Sequence, residues 1–305
     1  MASTDPTAED YSYDEFAYLH ENCEEYDLEY GENPPVVCRG EHEVGPGRCV
    51  RFLKWGSDSP EIVFLHGGAQ NAHTWDTVAL ALRPHPLLAI DLPGHGQSDW
   101  RDDKRYNPRS HAEDVAAVIA AHAPENELLV GMSLGGLTAN AIAAHHPHLV
   151  RRLLVVDVTP GVNHDKAKEV TDFIAGPQTF ASFGEIFDRT VQFNPTRTAS
   201  SLRRGIIHNA RRLADGSWEW RYDRTGFATL DSPTFDDLWE DISRIDVPYF
   251  LVRGGLSPVV DDADVEELRR RQPEAQYVVV DESGHSVQGD QPLALARIIE
   301  EYLAR

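Results

Sequence analysis

One serine stands where a side chain could act as a nucleophile. Ser133 lies at the centre of Gly131–Gly135 (GMSLG), directly after the apolar run 128–130 and directly before a helical period. A strand that turns sharply into a helix leaves such a serine exposed at the top of a sheet. Glycines two residues before and after it remove side chains that would collide where strand and helix approach. The spacing therefore predicts an exposed hydroxyl suited to covalent catalysis.

A second glycine turn follows an earlier apolar run. His66, Gly67 and Gly68 come directly after Ile62–Leu65. Backbone N–H groups in such a turn can stabilise a substrate oxygen on which negative charge develops, without reorganising first. We predict that the N–H groups of Gly68 and Leu134 form an oxyanion hole, and that His66 holds the turn. The alternative is an ordinary glycine-rich loop between strand and helix.

Strands and helices alternate along much of the chain, which predicts an α/β fold with a mostly parallel central sheet flanked by helices. Most of the predicted strands are continuously apolar, as strands buried on both faces are. They lie at Val50–Trp55, Ile62–His66, Leu87–Asp91, Leu128–Met132, Leu153–Asp157, Tyr249–Arg253 and Tyr277–Asp281. The predicted helices lie at Thr74–Leu82, Arg109–His122, Gly135–His146, Ala263–Arg271 and Pro292–Leu303. Ligands bind such sheets at the carboxyl ends of the strands.

This alternation stops between Thr159 and about Ile245. A structureless loop of that length is uncommon in a compact domain, so we expect an inserted, mainly helical cap at 160–245. The core would then comprise 36–159 and 246–305. A cap over the strand ends would enclose a pocket and restrict the shape of the substrate.

The first 35 residues form a distinct acidic extension, with eleven acidic residues and no Lys or Arg. Such a composition is typical of a solvated tail. However, Phe16, Leu19, Cys23 and Tyr26 recur at helical spacing. The alternative is therefore a short amphipathic helix that docks on the body or on a neighbouring subunit of a homo-oligomer.

The composition excludes several classes of partner. The 305 residues carry 50 acidic and 28 basic side chains, a formal charge of -22, which would repel nucleic acid and anionic lipid. No apolar stretch approaches the roughly 20 residues needed to cross a bilayer, and no secretion signal is evident. Cys23, Cys38 and Cys49 fit neither a disulfide framework nor a zinc site. We expect a cytoplasmic protein that binds a small molecule, and neither nucleic acid nor membrane.

A third motif, Asp91–Asp99 (DLPGHGQSD), closes another strand. Together with His66-Gly67-Gly68 and Gly131–Gly135, it resembles the α/β-hydrolase superfamily, over about Val50–Asp157 and Val247–Leu303. The resemblance implies that this loop shapes the floor of the site without taking part in catalysis. It also implies that the histidine after the last strand, His285, is the general base that accepts the Ser133 proton.

Neither of the two groups with metal-ligating residue types is expected to hold a metal ion. Asp91 and His95 belong to the loop just described, and the cluster His145-His146-Pro147-His148 ends a helix, where basic groups complement the helix dipole. The resemblance implies no metal and no organic cofactor.

The acid of the expected triad departs from the usual family pattern. Ser257 stands where the resemblance would place an aspartate, after the strand that precedes the histidine loop. Asp157, at the tip of the preceding strand, would still reach His285 because the two strands are expected to be neighbours. We predict Asp157 as the acid, with Ser257 as a hydrogen-bonding helper. Asp261 or the adjacent Asp262 is the alternative, and a dyad without a strong acid also stays open.

The expected activity is that of a serine hydrolase with a Ser133-His285-Asp157 triad, which forms an acyl-enzyme and cleaves a small, apolar carboxylic ester. The alternatives are hydrolysis of a C–C bond, a lactone or a thioester by the same triad, or ligand binding without turnover. Aromatic side chains of the cap could line the pocket or pack on one another, namely Phe173, Phe180, Phe183, Phe187, Phe193, Trp218, Trp220, Tyr222 and Phe227. Four arginines could meet an anionic substrate group or only offset local acids, namely Arg203, Arg204, Arg211 and Arg212.

Overall fold

An eight-stranded sheet forms the centre of the structure, a computed structural model that describes residues 13–31, 34–163, 165–225 and 236–305. Its strands are β1 Val37–Gly45, β2 Arg48–Trp55, β3 Ile62–Leu65, β4 Leu87–Ile90, β5 Leu128–Met132, β6 Leu153–Val156, β10 Tyr249–Gly254 and β11 Gln276–Val280. Their spatial order is β1-β2-β4-β3-β5-β6-β10-β11. The first two pairings, β1 with β2 and β2 with β4, are antiparallel, and the others are parallel. The predicted α/β fold with a mostly parallel sheet is confirmed.

Helices cover both faces of this sheet. The helices of the α/β layers are α2 Asp76–Ala81, α3 Pro108–His122, α4 Leu134–His145, α9 Asp262–Arg271, α10 Val287–Asp290 and α11 Pro292–Leu303. One face of the sheet packs against α3 and α4 and the other against α2 and α11, each through its own cluster of buried apolar side chains. Because β3 to β6 run parallel, their carboxyl ends form one edge at which polar side chains can converge.

The acidic extension is partly folded. Residues 13–31 include helix α1 (Leu19–Tyr26), which packs on α2 and buries Leu19 and Cys23 in the core. Of the two interpretations of this segment, the structure has the docked helix, because the spaced apolar side chains cover core surface that would otherwise be exposed. Residues 1–12, 32 and 33 of the extension lie outside the described residues.

The inserted segment combines helices with a small antiparallel sheet. Its helices are α5 Lys168–Ile174, α6 Phe183–Gln192, α7 Ala199–Asn209 and α8 Asp236–Arg244, and its strands are β7 Thr179–Phe180, β8 Ala210–Arg212 and β9 Trp218–Trp220. Helix α8 packs against α4, and its Leu238, Trp239 and Ile242 join the core cluster of the main sheet. This helix is therefore packed as part of the α/β layers, although the sequence pattern grouped it with the cap. Within the described residues, no helix has both the length and the apolar character needed to cross a membrane.

Candidate active site

Ser133 occupies a strained turn between β5 and α4. Its backbone has φ 52° and ψ -120°, the left-handed side that side-chain-bearing residues rarely adopt, and its N–H donates to the Val156 carbonyl over 3.1 Å. A Cβ on Gly131 or Gly135 would lie well under 3.0 Å from neighbouring backbone, that of Gly135 against the Leu65 carbonyl. The two glycines have the steric role that their spacing predicts.

Three predicted residues meet in one hydrogen-bonded chain. The His285 ring places Nε2 at 3.0 Å from the Ser133 Oγ and Nδ1 at 2.8 Å from the Asp157 Oδ2. An ionised carboxylate only accepts hydrogen bonds, so the proton of neutral His285 lies on Nδ1. The Nε2 lone pair then faces the serine hydroxyl. This arrangement can remove a proton from Ser133 as its oxygen attacks.

Asp157 is fully buried and holds its carboxylate with donors other than the imidazole. Its Oδ1 accepts from the Gly254 N–H over 2.9 Å, and its Oδ2 accepts from the Ser257 hydroxyl. Ser257 is thus where the helper prediction puts it. Asp261 lies elsewhere, because it caps α9 through a reciprocal pair with Asp264 and forms an ion pair with Lys166 at 2.9 Å.

The turn that carries Gly68 is held by hydrogen bonds from the Asp91 loop and from the inserted segment. His66 accepts the Leu92 N–H at Nε2 over 2.9 Å and is therefore a neutral, structural histidine, as predicted. Ala69 has φ 58°, and its carbonyl accepts from the Asn209 Nδ2 at the end of α7 over 2.6 Å. Gly68 lines the same cavity as Ser133.

Leu134 is the first residue of α4, whose first N–H groups have no partner within the helix. The predicted oxyanion donors, the N–H groups of Gly68 and Leu134, thus lie in the turn beside Ser133 and directly after it. Their role in catalysis stays a prediction.

The Asp91 loop is structural. Asp91 is fully buried and accepts from the Ala72 N–H over 2.7 Å, the Gln97 N–H over 3.0 Å and the Arg39 guanidinium over 2.7 Å. Burial lowers the pKa of His95 to about 3, so this ring is neutral. The loop is therefore fixed by buried hydrogen bonds, and its role as the floor of the site stays a prediction.

A cavity of about 460 Å³ opens over Ser133 and His285. Of the aromatic residues of the inserted segment, Phe173, Phe193 and Trp220 line it. Five further aromatic residues that the sequence analysis considered for the cap belong to one apolar cluster of this segment, namely Phe180, Phe183, Phe187, Trp218 and Tyr222. Phe227 lies outside the described residues. Part of the pocket wall is thus apolar and aromatic.

His73, Asp76 and His208, side chains of types that bind metal ions, form a cluster beside the cavity. In this cluster His73 forms ion pairs with carboxylates. His73 donates to Asp76 over 2.9 Å and to Glu15 of the N-terminal segment over 3.1 Å, and its ring stacks on His208 at 3.8 Å. Burial opposes a charge on His73, but the two carboxylates outweigh it and raise its pKa to about 9. Both ring nitrogens are engaged, and parallel rings cannot direct their lone pairs at one metal ion.

The cluster His145-His146-Pro147-His148, considered from the sequence as a group of metal-ligating residue types, makes a hydrogen bond within the fold. His145 is hydrogen-bonded through Nε2 to the buried Asp241 at 2.9 Å, between α4 and α8.

Comparison with known proteins agrees with this geometry. The family model for the alpha/beta hydrolase fold matches residues 60–292. The chain belongs to the α/β-hydrolase fold family. Within it, the chain is 45% identical over 297 residues to the esterase Rv0045c of Mycobacterium tuberculosis, covering 95% of this chain and 96% of the relative.

Two further comparisons extend this result. A crystal structure of the same mycobacterial esterase superposes with a TM-score of 0.84 at 43% identity, over 97% of this chain and 100% of that one. A pimeloyl-[acyl-carrier protein] methyl ester esterase of Yersinia enterocolitica is 29% identical, over 83% of this chain and 98% of its own length. Both similarities span the α/β-hydrolase core and the inserted segment.

Sequence reasoning did not find several polar residues around the site. Asn209 holds the Ala69 carbonyl, Asp290 accepts from the Gly284 N–H over 2.7 Å, and Glu15 pairs with His73. Arg197 lines the cavity. No motif marks any of them, and Asn209 and Glu15 contact residues that lie 140 and 58 positions away in the sequence.

Proposed function

We propose that this chain is an esterase that hydrolyses a small carboxylic ester through an acyl-enzyme on Ser133. The observation that carries the proposal is the continuous hydrogen-bonded chain from Ser133 through His285 to Asp157, open to a cavity of about 460 Å³. The names of the two curated relatives, both esterases, favour an ester over other acyl compounds.

The first half of the reaction forms the acyl-enzyme. The Ser133 oxygen attacks the ester carbonyl while its proton passes to the His285 Nε2, and Asp157 stabilises the resulting imidazolium. The carbonyl oxygen becomes negatively charged and accepts hydrogen bonds from the N–H groups of Gly68 and Leu134. As the intermediate collapses, the C–O bond breaks and the imidazolium gives its proton to the departing alcohol.

The second half returns the enzyme to its starting state. Water attacks the Ser133 acyl ester while the His285 Nε2 takes one of its protons. The tetrahedral intermediate then expels the serine oxygen, which recovers its proton from the imidazolium, and the carboxylic acid leaves. Nucleophile, base and oxyanion donors all come from the chain, so the proposed cycle needs no metal ion or organic cofactor.

The cavity favours a small substrate with a largely apolar acyl group. Phe173, Phe193 and Trp220 form part of its wall, and Leu256 and Val259 lie on the side of β10. We place the enzyme in the cytoplasm, because its three cysteines are free thiols, one of them exposed.

A fluorophosphonate probe tests the proposed nucleophile directly. We expect covalent labelling of the wild-type chain at Ser133, turnover of short-chain nitrophenyl esters, and loss of both in Ser133→Ala with an unchanged melting temperature. A parallel panel of thioester, lactone and vinylogous diketone substrates separates ester hydrolysis from the other reactions open to this triad. Absence of labelling together with silent ester assays would leave a binding protein and refute the proposal.

A further inference from the structure

Arg197 brings a positive charge into the cavity. It lies in the turn between α6 and α7, on the wall formed by the inserted segment, and lines the same cavity as Ser133 and His285. Its guanidinium lies against the short helix α10 that follows His285, since a Cβ on Gly289 would lie 2.8 Å from the Arg197 Cζ. The charge is therefore held beside the catalytic loop.

This guanidinium has few partners. Its Nη2 donates to the Ser201 hydroxyl over 2.7 Å, while Nε is cut off from solvent and has no hydrogen-bond partner within the described residues. No carboxylate of the described chain lies within 4.0 Å of Arg197. Burial lowers the pKa of this guanidinium more than the nearby carboxylates of Asp290 and Glu25 raise it.

The other cations on the cavity wall already have acidic partners. Lys166 pairs with Asp264 at 2.7 Å, and Arg204 pairs with Glu25. His73 lies between two carboxylates. Two arginines that the sequence analysis considered for an anionic substrate also pair with acids, Arg203 with Glu21 and Arg211 with Glu219.

Asp290 is an acidic group on the same wall, and its hydrogen bonds go to Gly284 and Thr196 rather than to Arg197. Its Oδ2 accepts from the Gly284 N–H over 2.7 Å and from the Thr196 hydroxyl over 2.9 Å. Burial raises the pKa of Asp290, and the charge on Arg197 acts in the opposite direction. Glu169, also on the wall, is exposed at the mouth of the cavity.

We propose that Arg197 binds a carboxylate carried by the ester substrate, so that the enzyme prefers anionic esters over neutral esters of the same length. This inference rests on the proposed esterase function. A carboxylate satisfies a guanidinium with charge-assisted hydrogen bonds, and the apolar wall isolates the pair from water. Because the surface as a whole is strongly acidic, selection for the anion must come from this internal cation and not from steering at the surface.

Two pairs of matched esters test the inference with purified full-length enzyme. Nitrophenyl glutarate and nitrophenyl pentanoate differ by a carboxylate on the acyl side, and 4-acetoxybutyrate and butyl acetate differ by one on the alcohol side. In at least one pair, we expect a higher kcat/KM for the anion. Arg197→Met should lower that value about 10- to 100-fold, the effect of losing hydrogen bonds to a charged group, and change the neutral ester less than about threefold.

The controls separate charge recognition from structure. Arg197→Lys should keep part of the preference, and Arg211→Met, which removes an exposed arginine of the inserted segment, should keep all of it. Arg197→Met should change the melting temperature little, because Arg197 forms no close ion pair and its hydrogen bond goes to the Ser201 hydroxyl. A large fall in melting temperature, or equal losses on both esters of a pair, would show a structural role and overturn the inference.

A binding measurement distinguishes failure of this inference from failure of the proposed function. In Ser133→Ala, we expect glutarate to raise the melting temperature, and to lose this effect when Arg197→Met is added. If wild type is labelled by fluorophosphonate and cleaves the neutral esters without any charge preference, the esterase proposal stands and the carboxylate site is wrong. If glutarate binds but no ester is cleaved, the site stands and the esterase proposal fails.

Discussion

Asp157→Asn is the substitution that most directly tests the assignment of the triad. The Asp157 carboxylate receives the Gly254 N–H at Oδ1, and the Ser257 hydroxyl and the His285 Nδ1 at Oδ2. Asparagine fits the same space, and its oxygen can keep the bond to Gly254. Its NH₂ group then faces the imidazole, so Nδ1 must accept and the ring proton moves to Nε2. The imidazole can no longer take the serine proton.

The size of the effect follows from this change of tautomer. A base held in the wrong tautomer typically lowers kcat by about 10⁴-fold, equivalent to roughly 5 kcal/mol of barrier. The fold should be little affected, because the shape and the bond from Gly254 are retained and the NH₂ group can donate to the Ser257 Oγ and the His285 Nδ1. We expect nitrophenyl butyrate turnover to fall by about 10³- to 10⁴-fold, with labelling by fluorophosphonate slowed in parallel and the melting temperature nearly unchanged.

Asp261→Asn is the matched control. Asp261 caps α9 and pairs with Lys166 rather than His285. Because asparagine can keep the cap and only the pairing with Lys166 is weakened, the variant should lose at most about 1 kcal/mol of stability and keep turnover within about twofold. Near-normal turnover of Asp157→Asn combined with a large loss in Asp261→Asn would refute the reasoning. Losses of equal size in both variants would also refute it.

Three further predictions concern the surroundings of the triad. Gly135→Ala should destabilise the fold by about 3 kcal/mol or more, measured by urea unfolding, because its Cβ would overlap the Leu65 carbonyl. Asn209→Ala should lower kcat about tenfold with KM nearly unchanged, since it releases the Ala69 carbonyl beside Gly68, and equal changes in both constants would contradict this role. The pKa of His73 is raised to about 9, so its stabilising contribution is complete below about pH 6.5 and is lost as the pH rises through 9. Proteolysis within residues 13–31 should therefore accelerate above pH 9, and in Glu15→Gln the acceleration should begin at a lower pH. A proteolysis rate that does not depend on pH would show that the ion pair between His73 and Glu15 does not hold this segment on the body.

The central strands could be predicted because they are buried on both faces. β3, β4, β5 and β6 read as continuous apolar runs, and the structure places each within a residue of its predicted end. The edge strand β1 (Val37–Gly45) was not predicted. Its side chains are all at least partly exposed, so the sequence there is polar and lacks an apolar run. The strands of the inserted segment are only two or three residues long, too short to show a period.

Ser133 and Asp157 of the candidate triad could be predicted because they lie directly after strands, and His285 because the family resemblance implied it. Asp157 follows β6 and His285 follows β11, and parallel strands bring their ends to one edge. Arg197 and Asn209 could not be found in this way, since they reach the cavity from a turn and a helix end whose positions depend on how the inserted segment packs. The N-terminal segment left two interpretations open, because its acidic composition favours a solvated tail and its apolar spacing favours a docked helix.

The contacts of α1 have a consequence for the order in which the enzyme is assembled. Glu21 and Glu25 bind Arg203 and Arg204, partners that lie 182 and 179 residues later in the chain. During translation, the first helix made must therefore wait for most of the polypeptide before these bonds can close. Helix α7 also supplies Asn209 to the glycine turn. The N-terminal helix and the glycine turn can therefore make these contacts only after α7 has left the ribosome.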